Sequence, residues 1–258
     1  MTGNEKDKKT LSSVTNAMRL LRLFTPKQPE LSITQMTKLS GIPKSSVHRL
    51  VLILTKEGFL SKNPRTNHYR LGLSILTLGG VIFSHRELYK EGFPTVKKMA
   101  ELLDESTHIC LLEEDHVVYL FRAESSHPDR LLTQIGRKNP VYCTAEGLCI
   151  LAFQEEKTIE RALSGERYAY TLKTVTNKKE IKHILADIRE RGFCILHGSY
   201  YEHYTSIAVP IRDHTGSVVS SLSVIGHSSR LTGDRAEEAA FKMMKAADDI
   251  SKHLGFYE

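Results

Sequence analysis

Residues 32–71, SITQMTKLSGIPKSSVHRLVLILTKEGFLSKNPRTNHYRL, decide how the first part of the chain folds. Ser32-Ile33-Thr34-Gln35 is an S-x-x-Q capping box, in which Ser32 and Gln35 satisfy orphan amides at a helix start. Ile33, Met36 and Leu39 are spaced to face inward, and Gly41 stands where a left-handed C-cap is wanted. Pro43 suits the first turn of a new helix, where its missing N–H costs nothing. In that helix Val47, Leu50, Val51 and Leu54 form an apolar stripe. The opposite face carries Lys44, Ser45, Ser46, His48, Arg49 and Lys56, phosphate and base-edge donors crowded near the helix N-terminus. Gly58 closes the helix. Residues 59–62 and 68–71 flank the turn-rich Asn63-Pro64-Arg65-Thr66-Asn67, which predicts a hairpin.

Two amphipathic helices, a tight turn and a cationic ribbon make a winged helix–turn–helix pattern, and duplex DNA is its commonest partner. Thr34, Lys44, Ser45, Ser46, His48, Arg49, Arg65, Asn67 and Arg70 are the candidate DNA contacts. Arg49 leads them, because a guanidinium reads guanine bidentately, whereas His48 also fits a solvent-facing helix position. Arg65, at the hairpin tip, reaches backbone or a minor groove. Upstream, residues 13–24 read as a further helix with Val14, Ala17, Met18, Leu21 and Phe24 as its stripe, Ser13 as cap and Pro26 as stop.

Charge follows the same division. Residues 1–71 hold thirteen Lys/Arg against four acids, a balance of +9, which leaves −3 for the rest of a chain whose total is +6. A cationic head on a slightly acidic body is the footprint of one domain facing phosphate and another facing something else; a merely solvated basic face is the bland alternative. At 258 residues the chain holds one or two domains of ordinary globular composition. MTGNEKDKKT lacks a signal peptide's apolar run, and LGLSILTLGGVIF at 71–83 is too short to span a bilayer. Cys110, Cys143, Cys149 and Cys194 show no C-x-x-C spacing and read as buried thiols, so a cytoplasmic location without membrane contact is expected.

Beyond the head, residues 72–90 read as a helix with Leu73, Leu76, Gly80 and Phe83 on one side. Gly79 and Gly80 weaken it by roughly 1 kcal/mol each, as a hinge or for close packing on a partner chain. A longer helix is predicted from Phe93 to about Asp104, with Val96, Met99, Ala100, Leu102 and Leu103 as apolar positions. Strands are predicted at 109–112, 117–121, 193–196, 206–211 and 218–224, with turns at 113–116 and 213–216, and helices at 144–154, 177–191 and 232–254. Alternating strands and helices make this an α/β body.

Catalysis finds only loose parts. Cys143 near Glu146, with His183, His197 and His203 elsewhere, offers a nucleophile and base without a nucleophile elbow, phosphate loop or metal helix. His197-x5-His203 is a weak metal signal. No catalytic residue, metal or cofactor is expected.

NAMRLLRLF, LSITQMTKLSGIPKSSVHRLVLILTKEGFL, the polar wing and YRLGLSILTLG resemble the winged helix of the IclR family of bacterial transcription regulators. The resemblance continues through THICLLEEDHVVYLFRAES, GRKNPVYCTAEGLCILAF, RERGF and SIAVPIRDHTGSVVSSLSVIG, covering nearly the whole chain in the family's order. It implies a multi-domain α/β protein: a winged helix–turn–helix at 10–71, a linker helix at 72–91 and a GAF-like effector-binding domain at 92–258. It implies a ligand-responsive regulator, a repressor ahead of an activator. The expected partners are a palindromic double-stranded DNA operator, a small-molecule effector and a second copy of the chain, with a tetramer as the larger option. An enzyme with an accessory winged helix is the remote alternative.

In this resemblance the effector site is lined by Thr144, Ala145 and Gly147 and by Ser199, Ser206, Ser221 and Ser223. Backbone amides at the Gly-containing helix start could hold a carboxylate or carbonyl. Thr144 as a plain helix cap and serines that satisfy strand ends are the bland alternatives. The chain departs from the family where members carry acids after the RGY-like turn: here stands Leu196-His197-Gly198-Ser199-Tyr200-Tyr201-Glu202-His203-Tyr204, and the family's Ser-x-Ser is Ser223-Val224-Ile225. A less anionic, more aromatic pocket follows, with an aromatic or larger ligand expected in place of the small 2-oxo acids some members bind.

Overall fold

The structure is a computed structural model that describes residues 4–25, 27–84, 87–126 and 133–257. Pro26 lies outside the described residues. The chain divides into two compact units, with the boundary after residue 85.

In the first unit, helices α1 (Asn4–Leu21), α2 (Ile33–Ser40) and α3 (Lys44–Lys56) precede strands β1 (Leu60–Lys62) and β2 (Tyr69–Leu71), and helix α4 (Leu73–Ser84) follows. The capping box forms as read: Ser32 N–H donates to Gln35 Oε1 at 2.8 Å, and Gln35 N–H to Ser32 Oγ at 3.2 Å. Gly41, at φ +69°, ends α2 in the left-handed region that glycine occupies without strain. Pro43 is the N-cap of α3, one residue earlier than expected. Leu20, Leu31, Met36, Ile42, Val47, Val51, Leu54, Leu60 and Tyr69 form the core. Leu31 bridges Tyr69 and so adds a third edge to the antiparallel β1–β2 wing.

Two apolar stripes differ from the sequence reading. In α1 the fully buried residue is Leu20, and Ala17 and Leu21 pack beside it as read, with Phe24 just beyond the helix, while Val14 and Met18 stand exposed; in α2, Leu39 is half exposed. Leu73, Leu76 and Leu78 of α4 are also open to solvent, and a Cβ added at Gly79 would meet nothing within 4 Å. The surroundings of Gly80 and the side chain of Phe83 lie outside the described part of the structure.

The second unit begins with α5 (Glu87–Leu103), which starts before Phe93 and runs through Pro94. Proline lacks the amide for one backbone bond, yet Val96, Met99, Ala100 and Leu103 are buried at helical spacing and hold the helix on the core. Leu102 points to solvent. Strands β3 (Ser106–Glu113), β4 (His116–Ala123), β5 (Lys138–Pro140), β6 (Cys194–His197), β7 (Tyr204–Arg212) and β8 (Val218–His227) form one antiparallel sheet in the order β5-β4-β3-β8-β7-β6. Helices α6 (Ala145–Leu151), α7 (Glu156–Ala162), α8 (Lys178–Arg191) and α9 (Gly233–His253) complete the unit. A helix–turn–helix head and an α/β body are therefore the observed fold class.

Directly opposed residues of an antiparallel sheet share a face. The register therefore aligns Cys194, Ala208, Ser223, His108 and Arg122 in one row, and Pro210, Ser221, Cys110 and Tyr119 in the next. Helix α6 covers this face, with Ser221 Oγ donating to the Glu146 carbonyl at 3.3 Å. α5 and α9 cover the other, where Arg212 N–H donates to Ser251 Oγ at 2.9 Å. Among the described residues no helix is long and apolar enough to cross a membrane.

Candidate DNA-reading face and effector site

In the head, the buried stripe of α3 turns its other side outward. Lys44, Ser45, His48 and Arg49 are exposed and Ser46 is half-buried, all within the first two turns. No side chain caps this helix start. Its free amides and the nearby cations make a positive end, the electrostatics a phosphate needs. Thr34 is exposed in the first turn of α2. In the wing, Asn63 Oδ1 accepts the Arg65 amide at 3.0 Å, and Asn67 N–H donates to the Asn63 carbonyl at 2.9 Å. Asn67 takes φ +57°, a left-handed conformation that asparagine tolerates best among non-glycine residues, so it has a turn-forming role of its own. Arg65 is exposed at the tip, and Arg70 is exposed on β2 opposite Ser61. A residue the sequence did not single out, Arg19, donates to the Ser40 carbonyl at 3.0 Å and pins α1 to the end of α2.

In the body, the structure gathers Thr144, Ala145, Gly147, Ser221 and Ser223 around α6, with Ser206 on the same sheet face. Thr144 does not cap α6: its Oγ1 donates to the Pro140 carbonyl at 2.9 Å. Gly147 is required by space, since a Cβ would stand 2.7 Å from Val141 backbone. Ser199 lies apart in the turn after β6, where its carbonyl accepts from Thr174 Oγ1 at 2.6 Å.

The polar centre joins Glu146, which the sequence offered only as a loose partner of Cys143, to residues the sequence did not single out. Glu146 is 1% exposed, and Tyr119 Oη donates to its Oε1 at 2.6 Å. Asn139 Nδ2 donates to Tyr119 Oη at 3.2 Å, and Arg137 Nε donates to Asn139 Oδ1 at 3.2 Å. His108 is fully buried; its Nε2 pairs with Thr133 Oγ1, and burial with the neighbouring Arg122 guanidinium lowers its pKa to about 3. Among the described residues, Glu146 Oε2 and His108 Nδ1 have no hydrogen-bond partner. Burial raises the Glu146 pKa. The face thus carries one buried acid besides the residues of 196–204, and burial favours its neutral form. The available signal was an acid inside the otherwise apolar Ala145–Leu151 segment.

Cys143, His197 and His203 each have other neighbours. Burial and the adjacent Glu146 push the Cys143 thiol up, and its Sγ approaches the Pro140 carbonyl at 3.9 Å. A thiol held protonated is a poor nucleophile. His197 Nδ1 pairs with Thr205 Oγ1 at 3.0 Å, His203 stacks on His227, and His183 is exposed on α8.

Comparison with known proteins covers both units. Residues 13–64 match the IclR helix-turn-helix domain, and residues 81–252 match the C-terminal domain of the bacterial transcriptional regulator IclR. The chain is 27% identical over 255 residues to the HTH-type transcriptional regulator KdgR of Escherichia coli (strain K12), covering 98% of this chain and 97% of that protein. It is 29% identical over 245 residues to the HTH-type transcriptional regulator KipR of Bacillus subtilis (strain 168), covering 95% and 97%. The crystal structure of an IclR transcriptional regulator from Alicyclobacillus acidocaldarius superposes with a TM-score of 0.80 at 27% identity, over 95% of this chain and 99% of that one. A helix–turn–helix with an exposed cationic face and a body matched by the family's C-terminal domain lead to one conclusion: the chain belongs to the IclR family of DNA-binding bacterial transcriptional regulators.

Proposed function

We propose that the protein is a ligand-responsive repressor that reads a palindromic operator as a homodimer and has no catalytic activity of its own. The observation that carries the DNA-reading part is the outward face of α3, where Lys44, Ser45, His48 and Arg49 lie exposed opposite a closed apolar core. Thr34, Ser46, Arg65, Asn67 and Arg70 extend the contact to α2 and the wing. One winged helix covers a half-site, and two copies on a two-fold axis cover a palindrome. Exposed Val14 and Met18 on α1 and Leu73, Leu76 and Leu78 on α4 support that second copy, because apolar side chains in water are stabilised by a partner.

The effector is assigned to the sheet face under α6, between Thr144, Ala145 and Gly147 and the serines of β7 and β8. Ser199 is assigned to the turn beside it. Control then requires differential binding: the ligand prefers a body conformation in which the paired heads no longer fit the operator. A gel shift on DNA from upstream of the protein's own locus, with and without candidate metabolites, tests this. Retarded DNA released by one class of metabolite is the expected result. Retardation that no metabolite changes would make the protein a constitutive DNA binder.

A further inference from the structure

A buried carboxyl oxygen without a partner costs stability, and an apolar side chain of similar size would remove that cost. Glu146 keeps such an oxygen, Oε2, while its other oxygen accepts from Tyr119. The side chain is held in place by Tyr119, and Tyr119 by Asn139, so Oε2 has a fixed position on the sheet face under α6. His108, also fully buried, stands in the sheet opposite Ser223 on the same face. A buried acceptor oxygen held in place and left open on a polar face is the arrangement a ligand completes.

Aromatic rings lead to this place. Tyr201, whose phenol lies near Arg137 and hydrogen-bonds Asn139, packs edge to face on Tyr200 at 4.5 Å between centroids, and Tyr200 on Tyr170 at 4.6 Å. Tyr204 meets Tyr201 at 6.2 Å on the other side. Tyr170 is half exposed, so the string runs from the surface to Asn139, which holds Tyr119 and through it the buried acid. Such rings accept another flat ring in offset or edge-to-face contact.

We propose that Glu146 is the specificity-determining residue of the effector site, and that the effector is a small aromatic molecule carrying a hydroxyl or ammonium group that donates to Glu146 Oε2. This rests on the assignment of the effector to the face under α6. An ammonium would hold the carboxylate charged, and a hydroxyl needs only its acceptor oxygen. A carboxylate in the same place would set two acids against each other, so an otherwise matched acid binds on the order of ten- to a hundredfold more weakly.

Thermal-shift titration of the full chain with phenethylamine, phenethyl alcohol and phenylacetate, which share one skeleton, tests the inference. Either donor probe is expected to raise the melting temperature of the wild type, with phenylacetate without effect. Glu146→Met should melt at or above the wild-type temperature when unliganded and lose the response to both donors. Glu146→Gln should lose the amine response and keep the alcohol response, and it stands in if Glu146→Met fails to fold. Silence of both donor probes, equal stabilisation by phenylacetate, or unchanged donor binding in both variants would overturn the proposal. Operator release by an unrelated metabolite, equal in wild type and Glu146→Gln, would sink this inference and leave the effector-site assignment standing. Stabilisation by a donor probe with no release of operator by any compound would sink the regulatory assignment instead.

Discussion

His108 carries the clearest pH signature of any single residue. Burial and Arg122 hold its pKa near 3, whereas an unfolded imidazole titrates near 6.5. Between those values the unfolded chain binds the extra proton, so stability is full above about pH 6.5 and falls as the pH drops toward 3. Urea denaturation at neutral and at mildly acid pH should show that loss, and His108→Gln should flatten it; an equal slope in the variant would assign the acid sensitivity elsewhere. Another residue-scale expectation concerns Gly226, where a Cβ would stand 2.4 Å from the Glu105 carboxylate that Arg230 holds bidentately at 2.6 and 3.0 Å. Gly226→Ala should lower the melting temperature by forcing a buried ion pair apart. Residues with a backbone task were legible in the sequence: Ser32, Gln35, Gly41 and Gly58 each carry a local rule that acts within a few positions. Glu146, Tyr119, Asn139 and His108 were not, because their meaning arises from three strands and a helix that meet only in the fold. No local pattern announces a hydrogen bond between residues 119 and 146.

Elements with strong periodicity were read close to their observed bounds, including α8, α9 and the strands β3, β4, β7 and β8. Two short ones, β5 and α7, have no counterpart in the sequence reading. β5 has three residues, and α7 buries only Ile159 and Ala162, too few to show a period. The α1 stripe is right at Ala17, Leu21 and Phe24, which pack on the core beside Leu20, and wrong at Val14 and Met18, which are as apolar but exposed; the exposed pair has meaning only if something covers it. At this scale the capping box offers a direct check. Ser32→Ala should cost about 1 kcal/mol in the head and leave the body unaffected. In α4, Gly79→Ala should stabilise an isolated helix by about 1 kcal/mol, since the added methyl meets open space within the chain. If a second copy packs on Gly79, the same change should instead weaken dimerisation, measured by sedimentation. Leu76→Glu, on the exposed side of that helix, should shift a dimer toward monomer without touching the head's core.

The whole molecule divides its charge as it divides its tasks, with +9 in residues 1–71 and −3 in the remainder. Displacement of counterions from DNA by that head makes affinity fall steeply with salt. Fluorescence anisotropy with the upstream operator and with a scrambled duplex, over a series of salt concentrations, measures both the slope and the discrimination. Arg49→Ala is expected to lose roughly ten- to a hundredfold in preference for the operator over the scrambled duplex while its melting temperature stays that of the wild type. Lys44→Ala is expected to weaken both duplexes alike and to reduce the salt slope by about one. Undiminished operator preference in a folded Arg49→Ala protein would contradict the assignment of α3 as the reading helix.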